Sequence, residues 1–579
     1  MLVACTNAPK VYNDGIITYA PVKLTDEEKQ VIRKSVERQE ERYDPAGKML
    51  TSVLNGWNYH TDAQSGTFHQ VRGSFSYAVS LLDLGDPQYR QRAFDVIEKT
   101  ISLQDTDPNS KSCGVWPYYE EEPLATKKAP IDYNWADFNA VSLLDIYMGH
   151  KDEIPADLLK KIENAIILAA RSIEKRNVGM GYTNIAIMGT YVTYVVSHLF
   201  DIPDLKVYAT TRLKRFYDHT VEKNGFTEYN SPTYTFTALD ELDRMKRHIV
   251  EPEAAKIIDI LYTIGWDIIA KHYHKPSAQW AGPHSRSYST LLRPSVYGIF
   301  NSASDGRIEL GVKDERADVK IKHRIPEQLM PYFLTPTYPR VQKDVFENVE
   351  PQIIGTCYLT TPYALSSVNR SSLWNQRRPF LAYWGSVVKP SYLQVRVLHE
   401  LYDLSAATWF SEQKDNTVLS GINFATNGGD KHISIDVLED GKFMAKDLRL
   451  RFEFGNVDVG QLALPSKDDA PVSFTIDGLQ FNLCLYHAVF GKHKGYWEKG
   501  SDEKAAWIDF VLYAGEEKEI DLTGMDHAAL GFSFCLTAAG EKCPQESVKY
   551  TVKDGVLDAA WNGLKVNIPV KPDKKPRNL

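Results

Sequence analysis

From about residue 25 to 292 apolar positions return every three to four residues, the period of packed helices; after about 293 they alternate with polar ones in short runs, the period of strands. "TDEEKQVIRKSVERQEERY" opens the helical stretch, with Thr25 as the expected N-cap and acidic residues in the first turn, where they complement the helix dipole. Four later segments are small, aromatic and nearly apolar all round: "FHQVRGSFSYAVSLLDLG", "NWADFNAVSLLDIYMG", "NIAIMGTYVTYVVSHLF" and "SPTYTFTALDELDRM". Between them lie helices with a charged face, among them "PADLLKKIENAIILAARSIEKR" and "EPEAAKIIDILYTIGWDIIAKHY". A helix apolar on every side must be enclosed, so the first kind predicts an inner ring and the second an outer ring. The pattern is that of an incomplete α/α toroid over 25–292; an irregular helical bundle or solenoid is the plainer alternative.

The alternating runs of 293–579, such as "VSFTIDGLQFNLCLYHAVFG" and "SVKYTVKDGVLDAAWNGLKVNI", are punctuated by Asp440-Gly441, Asp477-Gly478 and Asp554-Gly555, dipeptides that favour tight hairpin turns. They predict a large antiparallel β-sandwich, and the absence of a low-complexity linker predicts that the two halves pack closely. The fold class expected is therefore a multidomain α and β protein, with residues 1–24 as an N-terminal tether.

Composition narrows the partners. The chain has 579 residues, 25% charged and 43% hydrophobic, and a formal net charge of -8. No long basic run precedes the C-terminal "KPDKKPRNL", so nucleic acid is excluded as the expected partner. An acidic glycan stays open if positive charge is gathered in a cleft. The 32 Tyr and 11 Trp suit sugar-binding surfaces as well as an aromatic core. No stretch of about 20 apolar residues predicts a membrane span. The six cysteines lack zinc-like spacing, and only Cys535 and Cys543 lie close enough to suggest a local disulfide. "LVAC", ending at Cys5, reads like a bacterial lipobox, although the basic and long apolar parts of a signal peptide do not precede it. On that pattern the expected location is the periplasm or outer-membrane surface, with a lipid on Cys5.

In such a helical ring the loops before the inner helices converge on one face, where helix N-termini attract anions. "NGFTEYNSPTYTFTALDEL" is one of these loops: Ser231 is the expected N-cap and Pro232 the first helical residue, with Tyr234 in the first turn and Glu228, Tyr229 and Asn230 before it. "QWAGPHSRSYS" contributes Trp280, His284, Arg286 and Tyr288; "GMGYTNIAIMG" contributes Tyr182 and Asn184. Trp116, Asp132, Asn134 and Trp135 come from "GVWPYYEEEPLATKKAPIDYNWADF", and His69 and Arg72 from "FHQVRGSF". Each segment alone is explained by ordinary caps and packing; their shared placement makes them candidates. No cofactor is called for, and calcium stays open.

These residues resemble the polysaccharide lyases built from an α/α toroid followed by a β-sandwich, including the heparinase, alginate lyase and chondroitin lyase groups. "NGFTEYNSPTYTFTAL" looks like the segment of those enzymes in which Gly and Glu precede a Ser-Pro-x-Tyr helix start, which would make Tyr234 the catalytic tyrosine. Asn184 resembles their asparagine at an inner helix start, and "HSRSY" their histidine or arginine-serine segment. The chain departs from the pattern in having Asn224-Gly225 for the usual aspartate-glycine and Thr235 where a basic residue often follows the tyrosine. A narrower resemblance is to lyases that remove L-rhamnose-α-1,4-D-glucuronate caps from arabinogalactans.

The resemblance implies β-elimination: a base takes the C5 proton of a uronic acid and the C4–oxygen bond breaks. Donors such as Asn184, Arg286 or a protonated His284 would neutralise the carboxylate so that the developing charge can spread onto it. Tyr234 would act as base, acid or both; a phenol with pKa about 10 needs a nearby cation to serve as base, and Arg286 is the candidate. Glu228, Tyr229, Asn230, Tyr288, Asn134, Trp135, Trp116, Trp280, His69 and Arg72 would line the substrate site. Two other functions fit the same residue types: a glycoside hydrolase using paired carboxylates such as Glu228 and Asp132, and a noncatalytic glycan-binding lipoprotein.

Overall fold

The structure, a computed structural model, describes residues 10–12, 15–19, 23–56, 60–316, 318–428, 435–436, 438, 440–467 and 469–575. Cys5 and the lipobox-like start lie outside the described residues. α1 (Asp26–Glu40) begins as expected, Thr25 and Glu28 forming a reciprocal capping box.

Four helical hairpins follow: α2 (Val71–Leu84) with α3 (Pro87–Ile101), α4 (Asn134–His150) with α5 (Ala156–Arg176), α6 (Thr183–Leu199) with α7 (Pro203–Glu222), and α8 (Tyr234–His248) with α9 (Pro252–His272). α2, α4, α6 and α8 pack in succession as an inner layer, and each is backed by its outer partner. Every residue of α6 is buried, in keeping with its apolar circumference. The segment 318–324 ties the end members α2 and α8 together. Its Lys320 pairs with Asp83 of α2 at 2.8 Å, while Asp318 and His323 meet Arg244 and Asp240 of α8 at 2.5 and 2.9 Å.

The helical core extends past the expected boundary at 292. α10 (Pro294–Ala303) and α11 (Met330–Leu334) bring Phe300 and Phe333 against Trp266 and Tyr273, so residues 294–334 belong to the helices, and the first strand of the large sheet starts only at Arg340.

Among the described residues the rest of the chain builds a nine-stranded and a six-stranded sheet, both antiparallel, enclosing a core that includes Phe380, Trp409, Phe452 and Phe532. A three-stranded sheet, Lys549–Lys553, Val556–Trp561 and Leu564–Pro569, covers the outer face of the smaller sheet. Asp477-Gly478 and Asp554-Gly555 join neighbouring strands with both residues at positive φ, the conformation of the two-residue hairpin turn. Cys535 and Cys543 are disulfide-bonded. The other face of the large sheet, with Leu359, Leu381 and Tyr383, packs on Ala281 and Leu291 of the helical half, so the two halves share a core, as the missing linker predicts.

Candidate active site

α8 starts at Tyr234, two residues later than the Ser-Pro pattern predicts, because Asn230 takes a left-handed φ of 45° and Thr233 stands at the N-cap position. Ser231 still caps the helix: its Oγ accepts the Tyr234 N–H at 3.0 Å and donates to the Arg286 carbonyl at 2.6 Å. The loop is stapled to the 280–288 segment from within. Asn230 Nδ2 donates to the carbonyls of Ala281 and Pro283 at 3.0 and 2.8 Å, and its Oδ1 accepts from Trp280 Nε1. His284 Nδ1 donates to the Asn230 carbonyl at 2.7 Å.

That staple aims Arg286 at the start of α8. Its Nη2 donates to the Tyr234 hydroxyl at 3.0 Å, Nη1 to Glu228 Oε1 at 3.2 Å, and Nε to Gln376 Oε1 at 2.9 Å. The guanidinium also lies 4.9 Å from the ring centres of Tyr234 and Trp374. The hydroxyls of Tyr234 and Tyr288 are 2.6 Å apart, and Tyr288 is 52% exposed, so the pair reaches solvent. Burial raises the Tyr234 phenol above its ordinary pKa; Arg286 opposes the rise, and Tyr288 and Glu228 add to it. Burial likewise pushes the Glu228 carboxyl up to about 7, against the pull of Arg286 and of the Asn184 and Thr183 N–H groups at the start of α6. Glu228 Oε2 and Asn184 Oδ1 are buried without a hydrogen-bond partner among the described residues.

The site continues along the inner helix starts. Tyr182 accepts from Asn134 Nδ2 at 3.0 Å, Asn134 Oδ1 accepts from Arg176 at 2.7 Å, and Tyr182 lies in the fields of both Asp132 and Glu228. Trp135 donates to Asp132 at 3.2 Å and packs on Tyr118, which stacks with His60. Arg72 lies 3.7 Å above the Phe138 ring, exposed, and among the described residues it forms no ion pair. Direct contacts thus join Tyr234, Arg286, Glu228 and Tyr288, with the Asn184 N–H beside Glu228, while Asn134, Trp135 and Arg72 stand along the neighbouring inner helix starts.

The other candidates are turned elsewhere. Trp116 is core, its Nε1 bonded to the Thr100 carbonyl. His69 is clamped between Asp44 and Glu121 at 3.0 and 2.6 Å. Tyr229 stacks on Phe346 of the β half at 4.0 Å, while Asn230 and Trp280 form the staple just described. His284 is buried, and burial pushes its imidazole down to about 3, so it is neutral at pH 7 and does not provide the protonated donor expected of it. Sequence reasoning passed over Gln376 and Trp374, which arrive from the β half. Their only local sign is an aromatic, an amide and two arginines together in "WNQRRP".

A family model described as a domain of unknown function (DUF8769) matches residues 29–302. No curated protein matches the chain. Among solved structures, heparinase III aligns over 95% of this chain and 92% of its own, with 10% identity and a TM-score of 0.46. A chondroitin AC lyase of Streptomyces coelicolor A3, solved with chondroitin sulphate, aligns over 93% and 84%, with 9% identity and a TM-score of 0.47. Heparan sulfate lyase HepC from Pedobacter heparinus aligns over 96% and 90%, with 9% identity and a TM-score of 0.38. At such low identity and score, function has to be sought in the side chains of the cleft.

Proposed function

We propose that the chain is a polysaccharide lyase that cleaves a uronic-acid-containing glycan by β-elimination, on a helical half that is an open α/α toroid. The observation that carries this is the Tyr234 hydroxyl held 3.0 Å from Arg286 and 2.6 Å from the Tyr288 hydroxyl, beside Glu228 at the inner helix starts. In this reading the uronate carboxylate sits against Asn184, Arg286 and Glu228. A carboxyl with a pKa of about 7 is part protonated at neutrality and donates to another carboxylate instead of repelling it. Neutralised in this way, the carboxylate accepts the charge that develops as the C5 proton leaves. Tyr234 takes that proton as a phenolate paired with Arg286, whose charge opposes the rise that burial, Tyr288 and Glu228 impose on the phenol; the C4–O4 bond breaks, and the proton passes to the leaving oxygen. The carboxylate-gripping role first given to His284 belongs here to Glu228 and Arg286.

The narrower substrate we propose is a glucuronate capped by rhamnose on an arabinogalactan, met at the periplasmic or outer-membrane surface by an enzyme anchored through Cys5. Among the described residues no group of three or more His, Cys, Asp or Glu side chains gathers as a metal site, and no step above requires one. One observation favours hydrolysis instead: a carboxyl at about 7 is suited to a general acid. A screen of uronate glycans that follows near-ultraviolet absorbance and reducing sugar separates the two. New absorbance that is lost in Tyr234→Phe supports elimination; reducing sugar without absorbance refutes it.

A further inference from the structure

The outer face of the six-stranded sheet carries a pair of histidines that the elimination chemistry does not use. Along the strand Leu479–Phe490, Leu485 enters the sandwich core and Tyr486 packs under the covering three-stranded sheet. Strict alternation would turn the next residue, His487, back into apolar packing. A β-bulge shifts the register between Leu485 and His487 instead, so that His487 stands opposite Gly531 on the outer face and Ala488 returns to the core side. His527 lies just ahead of the neighbouring strand, Ala528–Thr537, its carbonyl accepting the Gly491 N–H at 2.8 Å. The two imidazoles meet across the Val489–Ala529 rung with their Nε2 atoms 2.9 Å apart and their ring centres 5.0 Å apart. Tyr550 of the covering sheet closes one side, its ring 5.6 Å from that of His487.

Two neutral imidazoles can face each other at this spacing through an N–H···N hydrogen bond or through a shared cation. The hydrogen bond requires opposite tautomers, one ring protonated at Nε2 and the other at Nδ1. Among the described residues no protein group bonds either Nδ1, so nothing else in the fold sets that difference. A cation needs only the two lone pairs. Bonds of about 2.0 to 2.1 Å from one ion to two nitrogens at a right angle place the nitrogens about 2.9 Å apart, whereas a tetrahedral angle places them about 3.3 Å apart. The observed spacing matches the right-angle case, which belongs to copper and nickel more than to zinc. Calcium and magnesium ask for oxygen ligands, and Asp526, the carboxylate next to His527 in the chain, is turned to solvent and pairs with Lys571 at 3.7 Å. Burial holds both rings below their ordinary pKa, His487 at about 4, so each offers a lone pair at neutral pH without first losing a proton.

We propose that His487 and His527 form a binding site for one divalent transition-metal ion, copper or nickel in preference to zinc, with Nε2 of each ring as a ligand and water in the remaining positions. The ion clips the turn before Ala528–Thr537 onto the strand Leu479–Phe490. Without it that turn is held by Asp521, whose Oδ1 accepts the Thr523 and Gly524 N–H groups at 2.9 and 3.2 Å, and by Met525 beside Gly491. The site belongs to the β half and does not depend on the lyase reading.

The test is calorimetric titration of Cu2+, Ni2+ and Zn2+, one at a time, into the full chain after chelator treatment, with electron paramagnetic resonance of the Cu2+ samples. One equivalent of Cu2+ or Ni2+ bound more tightly than Zn2+, a Cu2+ spectrum split by two imidazole nitrogens, and at least tenfold weaker binding in both His487→Gln and His527→Gln support the site. His493→Gln, which removes an imidazole just past the same strand but outside the pair, should bind as wild type does. The bound ion should also raise the thermal midpoint of wild type and of neither pair variant, since only a ligand of the folded state stabilises it. No equivalent bound by wild type, or wild-type affinity kept in either pair variant, overturns the site and leaves a hydrogen bond between the two rings. An ion captured instead by a free thiol such as Cys484 gives that second result. A wild-type Cu2+ spectrum with fewer than two nitrogens overturns it without recourse to any variant.

Discussion

Replacing Glu228 by Gln keeps the shape of the side chain and removes one titration from the cleft. On folding, the Glu228 carboxyl moves from an ordinary 4.5 to about 7. The folded protein therefore holds this proton more firmly than the unfolded chain, and stability falls as pH rises between those values. The contribution is fully present below about 4.5 and lost once pH passes through 7. At about 1.4 kcal/mol per unit the swing is about 3 kcal/mol; the side chain is only 10% exposed, so solvent screening takes little from it. In the variant Arg286 faces a neutral amide at every pH, a cost that does not change with pH. Glu241 and Asp137, which burial also pushes up to about 7, titrate in both proteins and cancel in the comparison. Denaturant unfolding of wild type and Glu228→Gln in small steps from about pH 4 to 9, followed by far-ultraviolet circular dichroism, should show the stability difference shifting by about 3 kcal/mol in favour of the variant as pH rises. Parallel curves across that range would refute a carboxyl forced upward by burial, and with it the protonated donor in the proposed site.

Tyr234→Phe deletes only the hydroxyl bonded to Arg286 and Tyr288, and proton transfer by a placed side chain contributes about 10²- to 10⁴-fold. Steady-state kinetics should show kcat falling by that factor with KM nearly unchanged, and a drop of less than threefold would remove Tyr234 from the chemistry. Asn184→Ala should lower kcat about 10²- to 10³-fold, as expected for loss of one donor to developing charge, while thermal unfolding stays close to wild type because Asn184 Oδ1 has no partner among the described residues to lose. Lys320→Met takes the buried ammonium from Asp83, which keeps only the His150 ring at 2.8 Å among its described ion-pair partners, and should cost about 3 to 5 kcal/mol in denaturant unfolding. Adding Asp83→Asn should return part of that cost, and no recovery would assign the loss to packing of the longer side chain instead.

What was legible in the sequence is what short segments decide for themselves. Thr25 and Glu28 cap their helix within one turn, and Asp477-Gly478 and Asp554-Gly555 turn their hairpins with backbone angles those residues tolerate. The alternation of enclosed and half-exposed helices was legible because α6 has no polar face to offer water. The helical boundary was misplaced because residues 294–334 are short, irregular pieces whose membership is decided by distant partners: Phe300 and Phe333 find Trp266 and Tyr273 only in three dimensions. The same limit divided the candidate site. Asn230, Trp280 and His284 look like substrate contacts in the sequence because they stand beside Tyr234 and Arg286, yet the Asn230 amide, the Trp280 N–H and the His284 Nδ1 are consumed inside the staple. A polar residue near a helix start carries no local mark of which way it faces.

The staple also ties the proposed chemistry to both halves of the molecule. Tyr234, Asn184, Glu228 and Arg286 all lie within the helical residues 29–302 matched by the family model. Arg286, however, does not hold its position by helical contacts alone: Nε donates to Gln376 Oε1, and the guanidinium lies against Trp374, both beyond that range. The backbone repeats the connection, with His284 and Arg378 exchanging N–H to carbonyl hydrogen bonds at 3.1 and 2.9 Å, and the Ser287 N–H donating to the Gln376 carbonyl at 2.7 Å. A long side chain with three polar nitrogens and several rotatable bonds loses much rotamer freedom when fixed, and fixing it beforehand spares that cost during reaction. The β half thus acts as the jig for the one cation that joins Glu228 to Tyr234. The helices bring the phenol and the amide to the mouth, and the strand-bearing half sets the charge between them.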